Sequence, residues 1–205
     1  MILLLIGVAI TLWASYNIKA TFKKYSQLRY SKNATAEVVA NWILKQNGIT
    51  NVRIERIPGS LTDHYDPTQK VLRLSDSVYG SVSMAAIGVA AHECGHAIQD
   101  NIAYQPLVTR SYPVILLGII FGATGLLNIG IILFSAVVVF QLVTLPVEFD
   151  ASKRACAILE GSNRFSPTET EAVKKVLSAA AMTYLASALN SILQLMRLLN
   201  IARRR

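Results

Sequence analysis

The amino-acid sequence predicts a mostly helical α+β protein that is embedded in a membrane. Of its 205 residues, 53% are hydrophobic and only 16% are charged, which is typical of a protein that keeps part of its surface in lipid. The hydrophobic residues are concentrated in residues 1–18, in residues 113–146 and in a C-terminal stretch. The segments between them are polar and contain short helix and strand patterns. We therefore expect transmembrane helices joined to a small layer of helix, strand and helix, all within one domain that covers residues 1–205.

The formal net charge of +8 indicates lysines and arginines that flank membrane segments and face the cytoplasm. There is no helix-turn-helix pattern, no zinc-finger spacing and no basic stripe interleaved with aromatic residues. We therefore expect the lipid bilayer, and no nucleic acid, as the partner of these charges. The two cysteines, Cys94 and Cys156, are too few and too far apart for a disulfide framework, so a reduced, intracellular site is compatible with the sequence.

Residues 1–18 contain no charged side chain and are long enough to cross a bilayer as a helix. In a cleaved signal peptide the positive charge precedes the apolar run, whereas here Lys19, Lys23 and Lys24 follow it. An uncleaved anchor fits this order better. The positive flank predicts that residues 19–112 lie on the cytoplasmic side of the membrane.

The segment after the anchor shows the patterns of a small polar layer. A helix is predicted over 33–48, where the final glycine is typical of a helix end. Strands are predicted over 51–57 and 70–75 by alternating apolar and polar side chains, and a polar loop with the sequence DHYDP lies between them at 63–67. A further helix is predicted over 83–100, and its apolar run is too short for a membrane span.

Residues 113–146 contain no charged residue and predict a transmembrane hairpin. One continuous helix of this length would be about 50 Å long, whereas a bilayer core is about 30 Å thick. Two spans with a turn near residues 128–130 would return the chain to the cytoplasmic side. Residues 147–205 should then form a polar helical segment and a C-terminal helix over 168–201. That helix could span the membrane or lie in its plane, because its terminal arginines oppose the positive-inside bias if it spans.

Residues 92–96, with the sequence HECGH, form an HExxH motif on a predicted helix. The spacing places His92 and His96 on one helix face, as two ligands of a shared Zn²⁺ require. Glu93 would act as the catalytic base, which takes a proton from a zinc-activated water and later delivers one to the leaving amine. Cys94 is rotated away and is predicted to pack. Because two of the chain's three histidines fall in the motif, a chance match or simple helix capping is the weaker interpretation.

A catalytic zinc usually has three protein ligands and one position open to water. Glu148, in LPVEFDAS at 145–152, is the preferred third ligand, because two membrane crossings would return it to the side of His92 and His96. His64, in the polar loop, is the competitor. If His64 and Glu148 both completed the site and excluded water, the zinc would be structural.

Together these motifs resemble the neutral zinc metallopeptidase family of bacterial membrane proteases, the YugP-like proteins. The resemblance covers the whole chain: the N-terminal span, DHYDP followed by VLRLS at 71–75, AHECGHAIQ at 91–99, and LPVEFDAS. The layout is also similar to that of the HtpX heat-shock proteases and the CAAX prenyl endopeptidases, in which a membrane hairpin separates HExxH from a glutamate ligand. The resemblance implies Glu148 as the third ligand, in an arrangement of the gluzincin type.

In those relatives an aspartate four positions after the glutamate supports a histidine ligand. This sequence has Ser152 at that position and Asp150 two positions earlier, and a two-residue step points to another side of a helix. The sequence therefore leaves open what supports the histidines. The resemblance also implies that the strand before the HExxH helix, predicted over 70–75, offers its edge to an extended peptide.

The sequence thus predicts a zinc-dependent endopeptidase that hydrolyses peptides or membrane proteins at the cytoplasmic face of the membrane. Two alternatives stay open. A zinc-binding membrane scaffold or adaptor without turnover would have a fourth protein ligand that closes the site. An intramembrane-cleaving metalloprotease would carry the HExxH helix within the bilayer, which the short apolar run before His92 opposes. The sequence does not indicate an oligomeric state.

Overall fold

The computed structural model describes residues 2–102 and 126–203. In these two ranges the chain is mostly helical and contains a small sheet. The elements in chain order are α1 (Ile2–Tyr25), α2 (Ala36–Gln46), β1 (Arg53–Ile57), β2 (His64–Asp66), β3 (Val71–Ser75), α3 (Met84–Asn101), α4 (Leu126–Gly161) and α5 (Pro167–Ala202).

The chain forms two compact units. Among the described residues, the apolar unit comprises 2–17, 126–147 and 181–203, and the polar unit comprises 18–102 and 148–180. Helices α1, α4 and α5 each contribute to both units. Helices α2 and α3 and all three described strands belong to the polar unit alone.

Helices α1, α4 and α5 each contain a stretch that is long and apolar enough to cross a membrane. These stretches are Leu3–Tyr25, Gly130–Gly161 and Pro167–Ala202, and most side chains in their apolar windows are not buried within the protein. Such exposed apolar helices are the form in which a chain can cross lipid, because all backbone hydrogen bonds are made within the helix. The prediction of a mostly helical protein with a small sheet and helices suited to a membrane is confirmed.

Helix α4 corrects two predictions. The turn expected near residues 128–130 is absent, because these residues lie inside α4. The helix also continues through Pro146, so that Glu148 lies on the same helix as the preceding apolar stretch and not on a following one. Proline removes one backbone hydrogen bond, a loss that membrane helices tolerate where neighbouring groups compensate for it. Residues 113–125 lie outside the described ranges, so the hairpin stays a prediction.

The polar unit contains a three-stranded sheet with the order β1-β3-β2. Strand β1 pairs in parallel with β3, and β2 pairs with β3 in antiparallel orientation. The prediction of two strands was incomplete, because the polar loop at 63–67 contains β2. The prediction that the strand over 70–75 offers a free edge was wrong, since β3 is paired on both sides and the edges belong to β1 and β2.

Polar side chains of the 63–67 segment hold β2 in place. One carboxylate oxygen of Asp63 accepts a hydrogen bond from the backbone N–H of Ser75 at 2.7 Å, and the other accepts from the Ser75 hydroxyl at 2.9 Å. The hydroxyl of Tyr65 donates to Asp100 on α3 at 2.7 Å. The polar chemistry of this segment therefore joins the edge of the sheet to the helix that carries the HExxH motif.

Helix α3 is packed on most sides within the polar unit. Ser83 caps its N-terminus by accepting a hydrogen bond from the backbone N–H of Ala86 at 3.2 Å. Its residues are mostly small and buried, so other elements can approach closely. A Cβ atom at Gly95 would lie 2.5 Å from the backbone carbonyl oxygen of Ala151 on α4. The glycine therefore permits the contact that brings residues 148–152 of α4 against α3.

Candidate metal centre

Three side chains from α3 and α4 converge in the polar unit. The Nε2 atoms of His92 and His96 are 3.2 Å apart, and Oε2 of Glu148 lies 3.3 Å from the first and 3.4 Å from the second. The histidines lie one turn apart on α3, as the HExxH spacing predicts, and Glu148 is placed beside them by the close contact between α4 and α3. The structure thus brings together the two motif histidines and the preferred third residue.

The three atoms have the spacing of ligands around a tetrahedral zinc ion. Zinc–ligand distances of roughly 2.0 to 2.2 Å give a tetrahedron whose edges are about 3.3 to 3.6 Å long. The separations of 3.2, 3.3 and 3.4 Å are close to these edges. Oε2 of Glu148 is buried, and none of the described residues donates a well-formed hydrogen bond to it. Two imidazole nitrogens and a buried carboxylate oxygen are donors that zinc binds, so this donor set fits zinc.

The pKa values of Glu93 and His96, both on α3, are shifted. Burial raises the pKa of Glu93, although the nearby His92 and His96 lower it. Burial alone would lower the pKa of His96, but its contact with Glu148 and the charge of Glu93 outweigh burial and raise the pKa to about 9. Without a cation His96 therefore holds a proton near neutral pH. A metal ion must displace that proton in order to bind.

Ser152 supports one of the two histidines, His92. It occupies the position, four residues after Glu148, at which the resemblance implies an aspartate. Its Oγ lies 3.0 Å from Nδ1 of His92. A contact at the nitrogen that faces away from a metal orients the imidazole ring, and here a hydroxyl makes that contact in place of a carboxylate.

Sequence reasoning missed Gln99. Its side chain is 0% exposed; its Oε1 lies 3.0 Å from Nδ1 of His96, and its Nε2 donates to Asp150 at 2.8 Å. Asp150 therefore reaches a histidine through Gln99, which explains how a residue only two positions from Glu148 contacts the site. The signal in the sequence was the three-residue step from His96 to Gln99, because that step places a polar side chain on the same helix face.

His64, the competing third ligand, lies away from the centre. It is an exposed residue of β2. Its Nδ1 lies 3.0 Å from the carbonyl oxygen of Thr62, and its Nε2 lies 3.4 Å from the Arg73 guanidinium. Within the described ranges, the group of side chains that could hold a metal consists of the two motif histidines and Glu148.

Cys94 packs on the opposite side of α3. The residue is buried, and its thiol donates to the backbone carbonyl of Ala40 on α2 at 3.5 Å. Burial, and to a smaller extent the charge of Glu93, raises the pKa of the Cys94 thiol well above its usual value. This cysteine is therefore a neutral packing residue that ties α3 to α2.

Comparison with known proteins places the chain in a family. A family model with the description "Putative neutral zinc metallopeptidase" matches residues 1–203. The chain belongs to this family. It is also 44% identical to the "Putative membrane protease YugP" of Bacillus subtilis (strain 168), over 208 aligned residues that cover 95% of this chain and 92% of the relative. No solved structure shows a significant match. The resemblance to neutral zinc metallopeptidases is thus confirmed, and the two histidines and the glutamate are side chains of the kind that a zinc site uses.

Proposed function

We propose that this neutral zinc metallopeptidase is a zinc-dependent membrane endopeptidase of the gluzincin type. The observation that carries the proposal is the convergence of His92, His96 and Glu148, whose facing atoms are 3.2 to 3.4 Å apart. The name of the Bacillus subtilis relative, "Putative membrane protease YugP", agrees with this reaction and with the three apolar helices.

Each residue at the centre has a distinct proposed role. His92 and His96 would bind zinc through Nε2, and Glu148 would bind it through Oε2. When bound, zinc supplies a Lewis acid that polarises a peptide carbonyl and increases the acidity of water. Glu93 would be the catalytic base, which takes a proton from the attacking water and delivers one to the leaving amine. Burial raises the pKa of Glu93, which suits a carboxyl group that must accept a proton and release it again.

We propose β2 as the strand that binds the substrate. No described strand pairs with its outer edge, and the hydrogen bond from Tyr65 to Asp100 joins β2 to the helix with the HExxH motif. A peptide that adds to this edge would be held by main-chain hydrogen bonds, which are largely independent of its sequence. The substrates would be peptides or extended segments of membrane proteins.

The proposed location is the cytoplasmic face of the cell membrane. In this arrangement residues 1–18 are a transmembrane anchor, 19–112 carry the HExxH motif on the cytoplasmic side, 113–146 form a hairpin, and 147–205 carry the third ligand and the C-terminal helix. The lysines that follow the anchor support this orientation. The lipid bilayer would cover the apolar helices, and we propose no nucleic-acid partner.

Two observations favour a catalytic centre over the alternatives. The metal-binding group found in the described parts of the chain has three members, and His64 is not one of them. A scaffold with a structural zinc would need a fourth protein ligand. Helix α3 is not among the described helices that are long and apolar enough to cross a membrane. An intramembrane-cleaving protease would carry its HExxH helix within the membrane.

The substitution Glu93→Gln tests the proposed reaction. The protein, purified in detergent, should contain zinc and cleave casein. Glu93→Gln should abolish cleavage while zinc stays bound, because this residue moves protons and does not ligate the metal. The matched control is Glu171→Gln, since Glu171 is 57% exposed and should behave as the wild type. Unchanged cleavage by Glu93→Gln would contradict the mechanism, and a full zinc complement in His92→Ala would show that the metal lies elsewhere.

A further inference from the structure

We propose that Gln99 is a positioning residue that keeps the ring proton of His96 on Nδ1 and so leaves Nε2 available to the metal. The inference rests on the proposed zinc site, and it assigns a function to a side chain that is neither a ligand nor a catalytic base. Its basis is a chain of hydrogen bonds that runs from Arg154 through Asp150 and Gln99 to His96.

The donor and acceptor chemistry of this chain permits one arrangement. Arg154 can only donate, and its Nε lies 2.5 Å from Oδ2 of Asp150. An ionised carboxylate can only accept, so the group of Gln99 that faces Asp150 at 2.8 Å must be its NH₂. The carbonyl oxygen of Gln99 must then face His96 at 3.0 Å. Since that oxygen can only accept, Nδ1 of His96 must carry the proton.

The proton on Nδ1 determines the state of the other ring nitrogen of His96, Nε2. A neutral imidazole carries a proton on one nitrogen and a lone pair on the other. With the proton held on Nδ1, the lone pair of His96 lies on Nε2, which is the atom that faces His92 and Glu148. Gln99 is fully buried, so water does not compete readily for its amide, and the orientation of the amide is set by Asp150.

For His92, the contacts that the structure describes include no group that fixes the position of the ring proton. Nδ1 of His92 faces the hydroxyl of Ser152 at 3.0 Å, and a hydroxyl can either donate or accept. Ser152 can therefore orient the ring of His92 without choosing which nitrogen carries the proton. Gln99 thus fixes the tautomer of His96, whereas Ser152 does not fix the tautomer of His92.

Zinc affinity, measured by competition with a chelator, tests this role. Gln99→Met keeps a similar volume but has no group that can accept the His96 proton, so it should weaken zinc binding by about 10-fold to 100-fold. Gln46→Met is the matched control, because Gln46 is exposed at the end of α2, and it should bind zinc as the wild type does. Thermal denaturation of the metal-free variants shows whether Gln99→Met still folds.

A double-mutant cycle tests whether Asp150 affects zinc affinity through Gln99 or independently of it. Asp150→Ala should weaken zinc binding in the wild-type chain but should have little further effect in the Gln99→Met background. Asp150→Asn should bind zinc nearly as the wild type does, since its amide oxygen can accept from both Gln99 and Arg154. Additive losses in the cycle would mean that Asp150 acts on the metal without Gln99, and would overturn the proposal.

The ring nitrogens of histidine give a readout that a purely structural role would not change. The chain has three histidines, so ¹⁵N spectra of the labelled metal-free protein can be assigned by substitution. With the imidazole neutral, the wild type should show the His96 proton on Nδ1, and Gln99→Met should show it shared between both nitrogens. A wild-type proton on Nε2, or unchanged zinc affinity in Gln99→Met, would overturn the inference. A wild-type protein that binds no zinc would instead overturn the proposed function itself.

Discussion

Gly95→Ala tests the close helix contact that assembles the centre. The added Cβ would lie 2.5 Å from the carbonyl oxygen of Ala151 and 3.0 Å from its carbonyl carbon. Both are backbone atoms, which no side-chain rotation can move. To restore an ordinary contact of 3.4 Å to the oxygen, α3 and α4 must separate by about 0.9 Å, the difference between 3.4 and 2.5 Å.

A separation of that size would disturb the centre, because His92 and His96 lie on α3 whereas Glu148 lies on α4. Metal–ligand distances tolerate deviations of about 0.2 Å. We therefore expect Gly95→Ala to lower zinc affinity at least about 10-fold. Overpacking of this kind should also lower the free energy of unfolding by about 1 to 3 kcal/mol. Chelator competition measures the first effect, and thermal denaturation of the metal-free protein measures the second.

Gly88→Ala is the matched control on the same helix. The nearest atom to a Cβ at Gly88 would be Cγ1 of Val173, at 3.3 Å, and that side chain can adjust, while the Val173 Cα would lie at an ordinary contact distance of 3.7 Å. Both substitutions gain similar helix propensity, about 1 kcal/mol, so the difference between them isolates the contact with Ala151. If Gly95→Ala bound zinc as tightly as the wild type and melted no lower than Gly88→Ala, our account of the helix contact would be refuted.

Four further predictions concern the metal and the membrane. Glu148→Ala should lower zinc affinity at least about 10-fold, and Asp150→Ala should cost less; equal zinc content in Glu148→Ala and the wild type would contradict the ligand assignment. Because the pKa of His96 in the metal-free protein is about 9, zinc affinity should fall about 10-fold for each pH unit below that value. The metal-free fold should, in turn, lose stability as pH rises from 6.5 towards 9. In a chain without its native cysteines, a cysteine at Ser60 or Ser162 should resist an impermeant thiol reagent added outside intact cells.

The features that the sequence predicted depend on local spacing. The four-residue step between His92 and His96 places both side chains on one face of any helix, and the capping serine at Ser83 and the run of small residues indicate that helix without knowledge of its neighbours. The preference for Glu148 needed one further assumption, that the chain returns to the same side of the membrane. The facing atoms at 3.3 and 3.4 Å agree with that preference.

The features that the sequence did not reveal depend on contacts between distant segments. Strand β2 has only three residues and forms because Asp63 and Tyr65 find partners elsewhere in the polar unit. Helix α4 continues through Pro146 against the intrinsic preference of proline, as helices in membranes tolerate. The contacts of Gln99 and Ser152 with the histidines became clear only when α4 was seen to lie against α3. The sequence offered their spacing from His96 and Glu148 as a signal, but neither residue type by itself indicates a metal site.

The buried thiol of Cys94 has a consequence for the choice of metal. A cysteine between two histidine ligands would attract thiophilic ions such as Cd²⁺ or Cu⁺ if its sulfur could ionise and turn inwards, since thiolate is the ligand that these ions prefer. Here the high pKa of the thiol and its hydrogen bond to Ala40 keep the sulfur neutral and directed at α2. Within the described parts of the chain, the centre consequently presents nitrogen and oxygen donors alone, which gives such ions little advantage over zinc.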